Sequence, residues 1–470
     1  MHPFDPGKIL RLPIVVGGVA LVGLALTGCK GIPARNERAA RQDLKTVGDT
    51  FRPQNQRPAL PTLQTNSSLS NFLHFAVLNQ PQVEAAYFDW AASVERITVE
   101  RSLPDPRLSF ESDIADIVMT VMPGLMQDFP GPGKLKAAAV VASAEGKAKY
   151  FVFETSVLQT AFALKQAYYQ LWFLNEKIRI NRQTLDLLAD LEKIARAQNE
   201  VGKVTLQDVY RAQIEQDQLT TEIVNLEDSR HPLTAQFKGA LGLTRDQSDP
   251  PQPARFETTP LDLNGEDLLK TAFARNPRLK AMEAEVRLAE ASIALARKSR
   301  VPDFSLGLMA DAKTAPTIFR PLAGMTLPIW RDKIAAQIAA AQAGKRAAEA
   351  RLTSEQITLT VDFAMKSYDY REITRNLALL QDKLVPKARQ SLEIARAGYL
   401  AGQIDFFNLI DAERTLLNFQ LEEVEARTRR EIILADLSLS IAGIAPEGAP
   451  ILPLSPTASS PSPNPPSTRH

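Results

Sequence analysis

Residues 275–311 read RNPRLKAMEAEVRLAEASIALARKSRVPDFSLGLMAD, and residues 79–113 read NQPQVEAAYFDWAASVERITVERSLPDPRLSFESD. In both stretches a proline hinge opens a helical run, and a later proline introduces a run that alternates like a strand. Aligned on the hinge, the stretches share residues at positions that include Pro81 and Pro277, Ile97 and Ile293, Arg101 and Arg297, Pro106 and Pro302, Ser109 and Ser305. The sequence therefore contains the same unit twice.

A second match lies further along the chain, between ARAQNEVGKVTLQDVYRAQ at 195–213 and ARAGYLAGQIDFFNLIDAE at 395–413. It aligns Gly202 with Gly402, Val204 with Ile404, Asp208 with Asn408 and Ala212 with Ala412. Two copies are too few for a solenoid, which needs at least about three short units. The duplication instead predicts two pseudo-symmetric halves of one architecture.

Each half has the same predicted layout: a hinged helix pair, two strand-like runs, a very long helix, a glycine turn and a return helix. The predicted ranges are helices 69–79, 82–101, 134–200 and 205–241 with strand 107–113, then helices 266–275, 277–299, 332–398 and 405–441 with strand 303–311. The second strand-like runs end at FPGPGK (129–134) and LPIWRDK (327–333). A helix of about 65 residues is roughly 100 Å long, which no compact domain of this size needs.

Helix packing along these long segments is indicated by two patterns. Partly heptad spacing predicts a coiled-coil seam at Leu164, Tyr168, Leu171, Ile178 and Leu185. A small-residue face that allows close helix approach is predicted at Ala335, Ala336, Ala339, Ala340 and Ala343. A purely structural coiled coil is the simpler interpretation, but the strand-like runs between the helices argue against it.

Composition excludes several classes of function. The formal net charge of the 470-residue chain is +1, and no basic cluster indicates a nucleic-acid partner. One cysteine excludes an intramolecular disulfide and a cysteine-cluster metal site, and the four histidines lack metal-ligand spacing. No phosphate-binding Gly-Lys-Ser/Thr loop is present. We therefore expect no enzyme activity, no cofactor and no metal site.

The N-terminus predicts a lipoprotein. Lys8 and Arg11 precede an apolar run that ends in Leu26-Thr27-Gly28-Cys29, as in a secretory signal peptide. The ending resembles the bacterial lipobox, which makes Cys29 the lipid attachment site. An ordinary signal peptide with an incidental cysteine, or an uncleaved anchor, is the alternative. Lys30, in place of an aspartate, is typical of lipoproteins sent to the outer membrane.

The remaining chain divides as follows. We expect a signal peptide at 1–28, an extended arm at 29–66, the first repeat at 67–245, a linker at 246–263, the second repeat at 264–444 and a disordered Pro/Ser-rich tail at 445–470. Four strands per chain are too few to close a barrel, and open edges cannot lie in lipid. Three copies would supply twelve strands, within the range of membrane barrels.

This order of features resembles the TolC-type outer-membrane efflux protein family. The most specific piece is Tyr399-x-x-Gly402 followed by IDFFNLIDAERTLL (404–417), with Pro386 upstream; FPGPGK also fits. The resemblance implies a mainly α fold with a small β part: a homotrimer with a 12-stranded outer-membrane barrel and an α-helical periplasmic tunnel. It implies a passive exit duct for efflux, served by an inner-membrane pump and a periplasmic adaptor.

The resemblance also implies which residues act. The tips facing the adaptor correspond to Gly202, Val204, Thr205, Leu206, Gly402, Ile404, Asp405 and Phe406, and the periplasmic entrance to Asp208, Asn408 and Asp411. The family often has two acidic residues on the second tip; here the first of these positions is the amide Asn408. Simple helix termination, and solvated or paired aspartates, are the alternative interpretations of these positions.

Three other functions remain open. A duct for type I protein secretion has the same architecture, and a structural envelope lipoprotein would form no pore. A periplasmic adaptor usually has one helical hairpin inserted in β-rich domains, whereas this sequence has two complete strand-bearing halves. Nothing in the sequence identifies the transported substrate.

Overall fold

The computed structural model describes residues 33–115, 118–258, 265–311, 317–446 and 449. The predicted signal peptide, Cys29 and nearly all of the predicted tail lie outside these residues. Within them the chain is mainly helical with one small sheet, as the sequence predicts.

The first repeat follows the predicted order closely. Its elements are α2 (Leu69–Asn79), α3 (Pro81–Arg101), β1 (Arg107–Ala115), β2 (Val118–Phe129), α4 (Lys134–Glu200) and α5 (Leu206–Ala240), preceded by α1 (Arg35–Phe51). The 67 residues of α4 form one uninterrupted helix. At 1.5 Å per residue, it is roughly 100 Å long.

The second repeat has the same order but an interrupted long helix. Its elements are α6 (Gly265–Arg275), α7 (Pro277–Lys298), β3 (Phe304–Asp311), β4 (Ile318–Met325), α8 (Arg331–Leu379), α9 (Val385–Leu400) and α10 (Phe406–Ala435). A wide π turn, Leu380–Leu384, separates α8 from α9 just before Pro386. Proline lacks an N–H and its ring clashes with the carbonyl four residues earlier, which explains the break. A second π turn, Asp436–Ile441, extends α10.

The four strands form one antiparallel sheet in the order β1-β2-β3-β4. Leu108 pairs with Leu125, and Leu125 with Leu308. Because side chains alternate between faces, the residues that share a face with these leucines can be read from the register. That face is apolar and exposed: Leu108, Phe110, Leu125, Phe304, Leu306, Leu308, Phe319 and Met325.

The opposite face of the sheet is more polar, although Met122, Met126 and Met309 also lie on it. It contains Ser109 and Ser305, and ion pairs join Arg107 to Asp128 and Arg320 to Asp311. One more ion pair fastens the sheet to the helices: Lys134 Nζ and Gly131 N both donate to Asp303 Oδ1 at 2.7 Å. Burial raises the pKa of Asp303, but these donors outweigh it and lower the pKa overall.

Most of the buried core lies in the first repeat, where α4 packs against α3, α5, α7 and α10. The predicted seam is part of it: Leu164, Tyr168, Leu171 and Ile178 are buried and Leu185 is partly buried. Trp90 and Trp172 are buried, in agreement with a packing role. By contrast, the small-residue face at Ala335, Ala336, Ala339, Ala340 and Ala343 is exposed within the chain.

The same pattern of side-chain hydrogen bonds holds both proline hinges. Asn276 Nδ2 donates to the carbonyls of Ser440 and Ile441, both at 3.0 Å. In the first repeat, Asn79 Nδ2 donates to the carbonyls of Leu241 and Gly242 at 2.9 and 3.0 Å. Each amide thus ties the start of a repeat to the end of its return helix.

The prediction of an extended arm at 29–66 is wrong for its central part, because residues 35–51 form the helix α1. Glu37 in its first turn is buried and accepts from Arg101 Nε at 2.6 Å and Thr98 Oγ1 at 2.8 Å. Phe51 at its other end packs against Tyr87, with ring centroids 5.1 Å apart. Ala40, Leu44, Val47 and Phe51 recur at helical spacing and pack on the core, a pattern that the sequence analysis overlooked.

Candidate functional site: the paired helical tips

The tips predicted to be functional are two nearly identical turns. Gly202 and Gly402 have φ values of 69° and 73°, the left-handed region that glycine adopts without strain. In the first tip Lys203 N donates to Gln198 O at 2.9 Å, and in the second Gln403 N donates to Gly398 O at 2.9 Å. These bonds satisfy helix-end carbonyls, so both glycines terminate a helix.

The return helices after the two tips begin differently. Asp405 caps α10, because its Oδ1 accepts from Asn408 N at 2.9 Å. Thr205 occupies the corresponding position before α5 but makes no capping hydrogen bond with its side chain. Leu206 is exposed, whereas Phe406 is buried. The second tip is therefore more firmly attached to the helices beneath it.

A shared apolar cluster brings the two tips together. It joins α4, α5, α9 and α10, and its members include Leu191, Ala195, Val209, Ala212, Leu392, Tyr399, Phe406 and Leu409. Val204 of the first tip packs against the same cluster. At the second tip, Gly398 leaves room for Ile404, since a Cβ there would lie 2.6 Å from Ile404 Cδ1. All predicted tip residues thus lie at one end of the molecule.

Asp208 belongs to the return helix of the first tip, and its carboxylate lies near Tyr399 of the second tip. The Tyr399 side chain is 2% exposed, and its hydroxyl has no hydrogen-bond partner among the described residues. Burial raises the pKa of Tyr399 to about 12, and the nearby Asp208 carboxylate adds to the effect. Asp208 is therefore placed where the first return helix meets the second tip.

Asp411 is exposed and lines a cleft of about 240 Å³ between α5 and α10. Arg211 and Phe407 line the same cleft, with the guanidinium carbon 5.3 Å from the ring centroid. Asn408 is exposed. Among the described residues, no hydrogen bond or ion pair joins the side chains of Asp208, Asn408 and Asp411. The role of these three residues at the periplasmic entrance stays a prediction.

An ion pair that the sequence analysis did not identify connects the two return helices. Arg414 of α10 binds Glu215 of α5 through two hydrogen bonds, one from Nε at 3.0 Å and a shorter one from Nη2. The Glu215 carboxylate raises the pKa of Arg414. Aligned repeats do not reveal this contact, because it depends on how the two halves pack.

The neighbouring Glu413 was also missed. It is 3% exposed, and the Thr184 hydroxyl of α4 lies nearby. Burial raises the pKa of Glu413 to about 7, and Glu215 raises it further, while Thr184 and Arg414 oppose the shift. The only sequence signal is its place on the apolar face of α10, one residue after Ala412, where a carboxylate is not expected.

In residues 33–258 and 265–446, apart from the short gaps given above, no helix is long and apolar enough to cross a membrane. Within the same part of the chain, no three His, Cys, Asp or Glu side chains converge as metal ligands would.

Known proteins resemble this chain in sequence and in fold. The model of the outer membrane efflux protein family matches residues 268–443. The cobalt-zinc-cadmium resistance protein CzcC of Cupriavidus metallidurans is 23% identical over 270 residues, which cover 54% of this chain and 61% of that protein. The probable outer membrane lipoprotein SilC of Salmonella typhimurium is 22% identical over 310 residues, covering 63% and 65%. The chain thus spans less than two thirds of the length of both relatives.

A solved structure matches over more of the chain. The open state of the MtrE outer membrane channel of Neisseria gonorrhoeae superimposes with a TM-score of 0.67 and 16% identity, covering 84% of this chain and 98% of that one. At this identity the likeness establishes the fold. It extends well beyond residues 268–443, because it includes both repeats.

Proposed function

We propose that the chain is a member of the outer membrane efflux protein family and one subunit of a homotrimeric outer-membrane channel. In this role it is a passive exit duct: an inner-membrane pump and a periplasmic adaptor deliver the substrate, and the chain catalyses no reaction. The proposed domain boundaries are those derived from the sequence, with α1 now part of the arm.

The single observation that carries this proposal is the four-stranded sheet with an apolar exposed face and a more polar opposite face. Both β1 and β4 are edge strands within the chain. Unpaired edge groups are costly in lipid, so the sheet can enter a bilayer only if other copies pair with β1 and β4. Three copies joined in this way give a closed barrel of twelve strands, with the apolar face toward lipid and the polar face toward the lumen.

The helical part supports a partnership between copies of the same chain. On α8 an exposed apolar stripe runs along one face at helical spacing: Ile357, Val361, Met365 and Tyr368. Met365 is 60% exposed. We expect a second copy of this chain to cover the stripe. The copy whose strand pairs with β1 or β4 also brings its long helices alongside α8. The small-residue face of α8 provides a second surface for that contact.

The N-terminal helix supports a lipid anchor in the same membrane. Cys29 precedes the start of α1 by six residues, which span at most roughly 20 Å when extended. The first turn of α1 lies beside Thr98 and Arg101, in the last turns of α3 that lead into β1. A lipid on Cys29 would therefore lie near the base of the sheet. Trp330, 72% exposed just after β4, is placed where aromatic side chains favour the membrane interface.

A pair of substitutions on one strand tests the barrel. Leu308→Arg places a charge on the apolar face of β3, and Ser305→Arg places the same charge on the polar face. Arginine on a lipid-facing position costs about 2–4 kcal/mol at the bilayer centre and much less in a lumen. We expect L308R to lose trimers and S305R to keep them with altered ion selectivity.

The measurements are the mass of the detergent-extracted particle, corrected for bound detergent, and conductance in planar bilayers. A monomer that resists crosslinking in intact cells would overturn the trimer and favour a structural lipoprotein.

The helical tips are the proposed adaptor contact. A photo-reactive residue at Leu206, which is exposed at the first tip, is expected to crosslink to the adaptor. The matched control is Val140, equally apolar and 42% exposed but near the sheet end of α4. Crosslinking to the adaptor from Val140 and not from Leu206 would place the contact elsewhere.

The similar protein CzcC is a cobalt-zinc-cadmium resistance protein, so these ions come first in a panel of metals and drugs applied to a deletion strain.

A further inference from the structure

Glu413 is a buried carboxyl group at the point where the two repeats meet. It belongs to α10 of the second repeat, and the hydroxyl of Thr184 on α4 of the first repeat lies close enough to favour its charged form. Both side chains are almost completely buried, at 3% and 6% exposed. The contact therefore exists only while α10 lies against α4.

Within the described part of the chain, no cation forms an ion pair with Glu413. Arg414, the adjacent residue, is bound through two hydrogen bonds to Glu215 of α5. Glu222 of α5 faces the same cleft and is held by Lys177 of α4, with Nζ 2.9 Å from its carboxylate. The helix α9 packs on α10 through buried apolar residues and Tyr399, and its charged residues are exposed: Lys387, Arg389, Glu393 and Arg396.

Solvent can nevertheless reach the carboxyl group. A cleft of about 310 Å³ between α4, α5 and α10 is lined by Glu215, Glu222, Glu413 and Arg414. Its polar lining gives protons a route to a side chain that is otherwise enclosed. The site thus combines a buried carboxyl group, an interface that can separate and an opening to the surrounding solution.

The direction of the pH effect follows from burial. In the packed arrangement burial raises the pKa of Glu413 to about 7, from an ordinary value of 4.5. If α10 moves away from α4, water solvates the carboxylate and the pKa returns toward the ordinary value. Packing is therefore fully favoured below the ordinary pKa and weakens as the pH rises through about 7. The ratio of packed to separated forms falls by about 300-fold across that window, since each unit is a factor of ten.

We propose that the proton on Glu413 acts as a latch that holds α10 against α4 and makes the periplasmic entrance pH-sensitive. The proton-bound form keeps the second tip packed, and loss of the proton favours separation of the repeats at this end. This proposal rests on the proposed channel function, since Asp411 of the proposed entrance lies two residues before Glu413 on the same helix. It adds a regulatory group that the tips and the sheet do not supply.

The experiment compares Glu413→Gln with Glu422→Gln in the full trimeric protein in planar bilayers, between pH 5 and pH 8. Glu422 lies on the same helix but is exposed, so its substitution removes an equal charge without touching the interface. We expect wild type and E422Q to gain conductance or open probability as the pH rises. E413Q should remain at the low-pH level throughout.

Identical pH dependence in E413Q and wild type would overturn the latch while leaving the channel intact. By contrast, a trimer without conductance at any pH would refute the channel function itself.

A second readout follows the helices directly. Spin labels at Asp186 of α4 and Asn418 of α10, both exposed, report the separation of the two helices. The distance between the labels should lengthen as the pH rises in wild type and E422Q, and stay at the low-pH value in E413Q. A distance that does not change with pH in wild type would overturn the proposal even if the conductance changed.

Discussion

The long helices of the two repeats have the same place in the fold but differ in their continuity and in how many side chains they bury. In the first repeat α4 is unbroken and buries side chains along most of its length, including Phe153, Leu164 and Leu171. In the second repeat α8 has few buried residues over its 49 positions: Ile334, Ala348, Leu359, Phe363 and Leu377. The first repeat therefore contains the core of the single chain. The second presents surfaces that, in the proposed trimer, only other copies can cover.

The break at Pro386 belongs to the same contrast. A π turn inserts an extra residue per turn and shifts every following side chain around the helix. Here it precedes α9, whose buried residues belong to the cluster under the tips rather than to the core around α4. Because of the interruption, α9 can turn its apolar face toward the cluster under the tips while α8 faces a different direction.

The largest expected effect comes from removing an aromatic ring from the first-repeat core. Trp90 stacks on Phe153 at 5.8 Å and meets Tyr150 at 5.1 Å between ring centroids. We expect Trp90→Ala to lower the free energy of unfolding by about 3–5 kcal/mol, because it leaves a cavity in a packed core. The aligned residue in the second repeat is Val286, which is only partly buried.

Val286→Ala should lower the free energy of unfolding by about 1 kcal/mol, since only part of two methyl groups is removed from contact. Denaturant unfolding of the detergent-solubilised protein measures both. Equal losses of unfolding free energy in the two variants would show that the two repeats are equally well packed.

Proline exchange tests the difference in helix continuity. Aligned on the tip glycines, Asp186 of α4 corresponds to Pro386. Asp186→Pro should cost about 3 kcal/mol, because it removes a backbone hydrogen bond and places a ring against the preceding turn of an unbroken helix. Pro386→Ala should change stability by less than about 1 kcal/mol, since the π turn already accommodates the break.

Thermal unfolding of the two variants against wild type gives the comparison. A Pro386→Ala variant as destabilised as Asp186→Pro would mean that the bend itself is required for packing.

The smallest expected effect is at the tips. A Cβ at Gly202 or Gly402 would have no atom within 4 Å, so only the left-handed backbone resists substitution. Gly→Ala at either position should cost about 1–2 kcal/mol. Gly→Asn at the same position should cost less, because asparagine tolerates this conformation.

Because the second tip is capped by Asp405 and anchored by Phe406, its Gly402→Ala variant should keep more amide protection against hydrogen exchange than Gly202→Ala. The reverse order of protection would show that the first tip is the more rigid one.

Sequence reasoning located most elements because they depend on local patterns. The ranges of α2 and α4 agree with the predicted ones, since a capping Ser68 and long apolar periods mark their ends and faces. It missed α1, although Ala40, Leu44, Val47 and Phe51 recur at helical spacing and pack on the core. For β2 and β4, sequence reasoning predicted only where the strands end, because short alternating runs are a weak signal.

Of the candidate site, the sequence located the tips but not the interface behind them. Repetition of the glycine turns pointed to Gly202 and Gly402, and the family resemblance pointed to Asp208 and Asp411. Arg414 with Glu215, and Glu413 with Thr184, could not be found in this way, because each pair joins different repeats. The roles of the tips in adaptor binding and of the aspartates at the entrance remain proposals.

The sequence by itself determined the duplication, the helical tips and the alternation of the strands, because hydrophobic period and glycine placement act over a few neighbouring residues. Only the tertiary structure decided which faces of the two repeats meet, which hinge amide binds which carbonyl, and that a carboxyl group is enclosed at the contact. These depend on distances between residues far apart in the chain. Burial then changes their chemistry, and a linear pattern does not encode how far water is excluded.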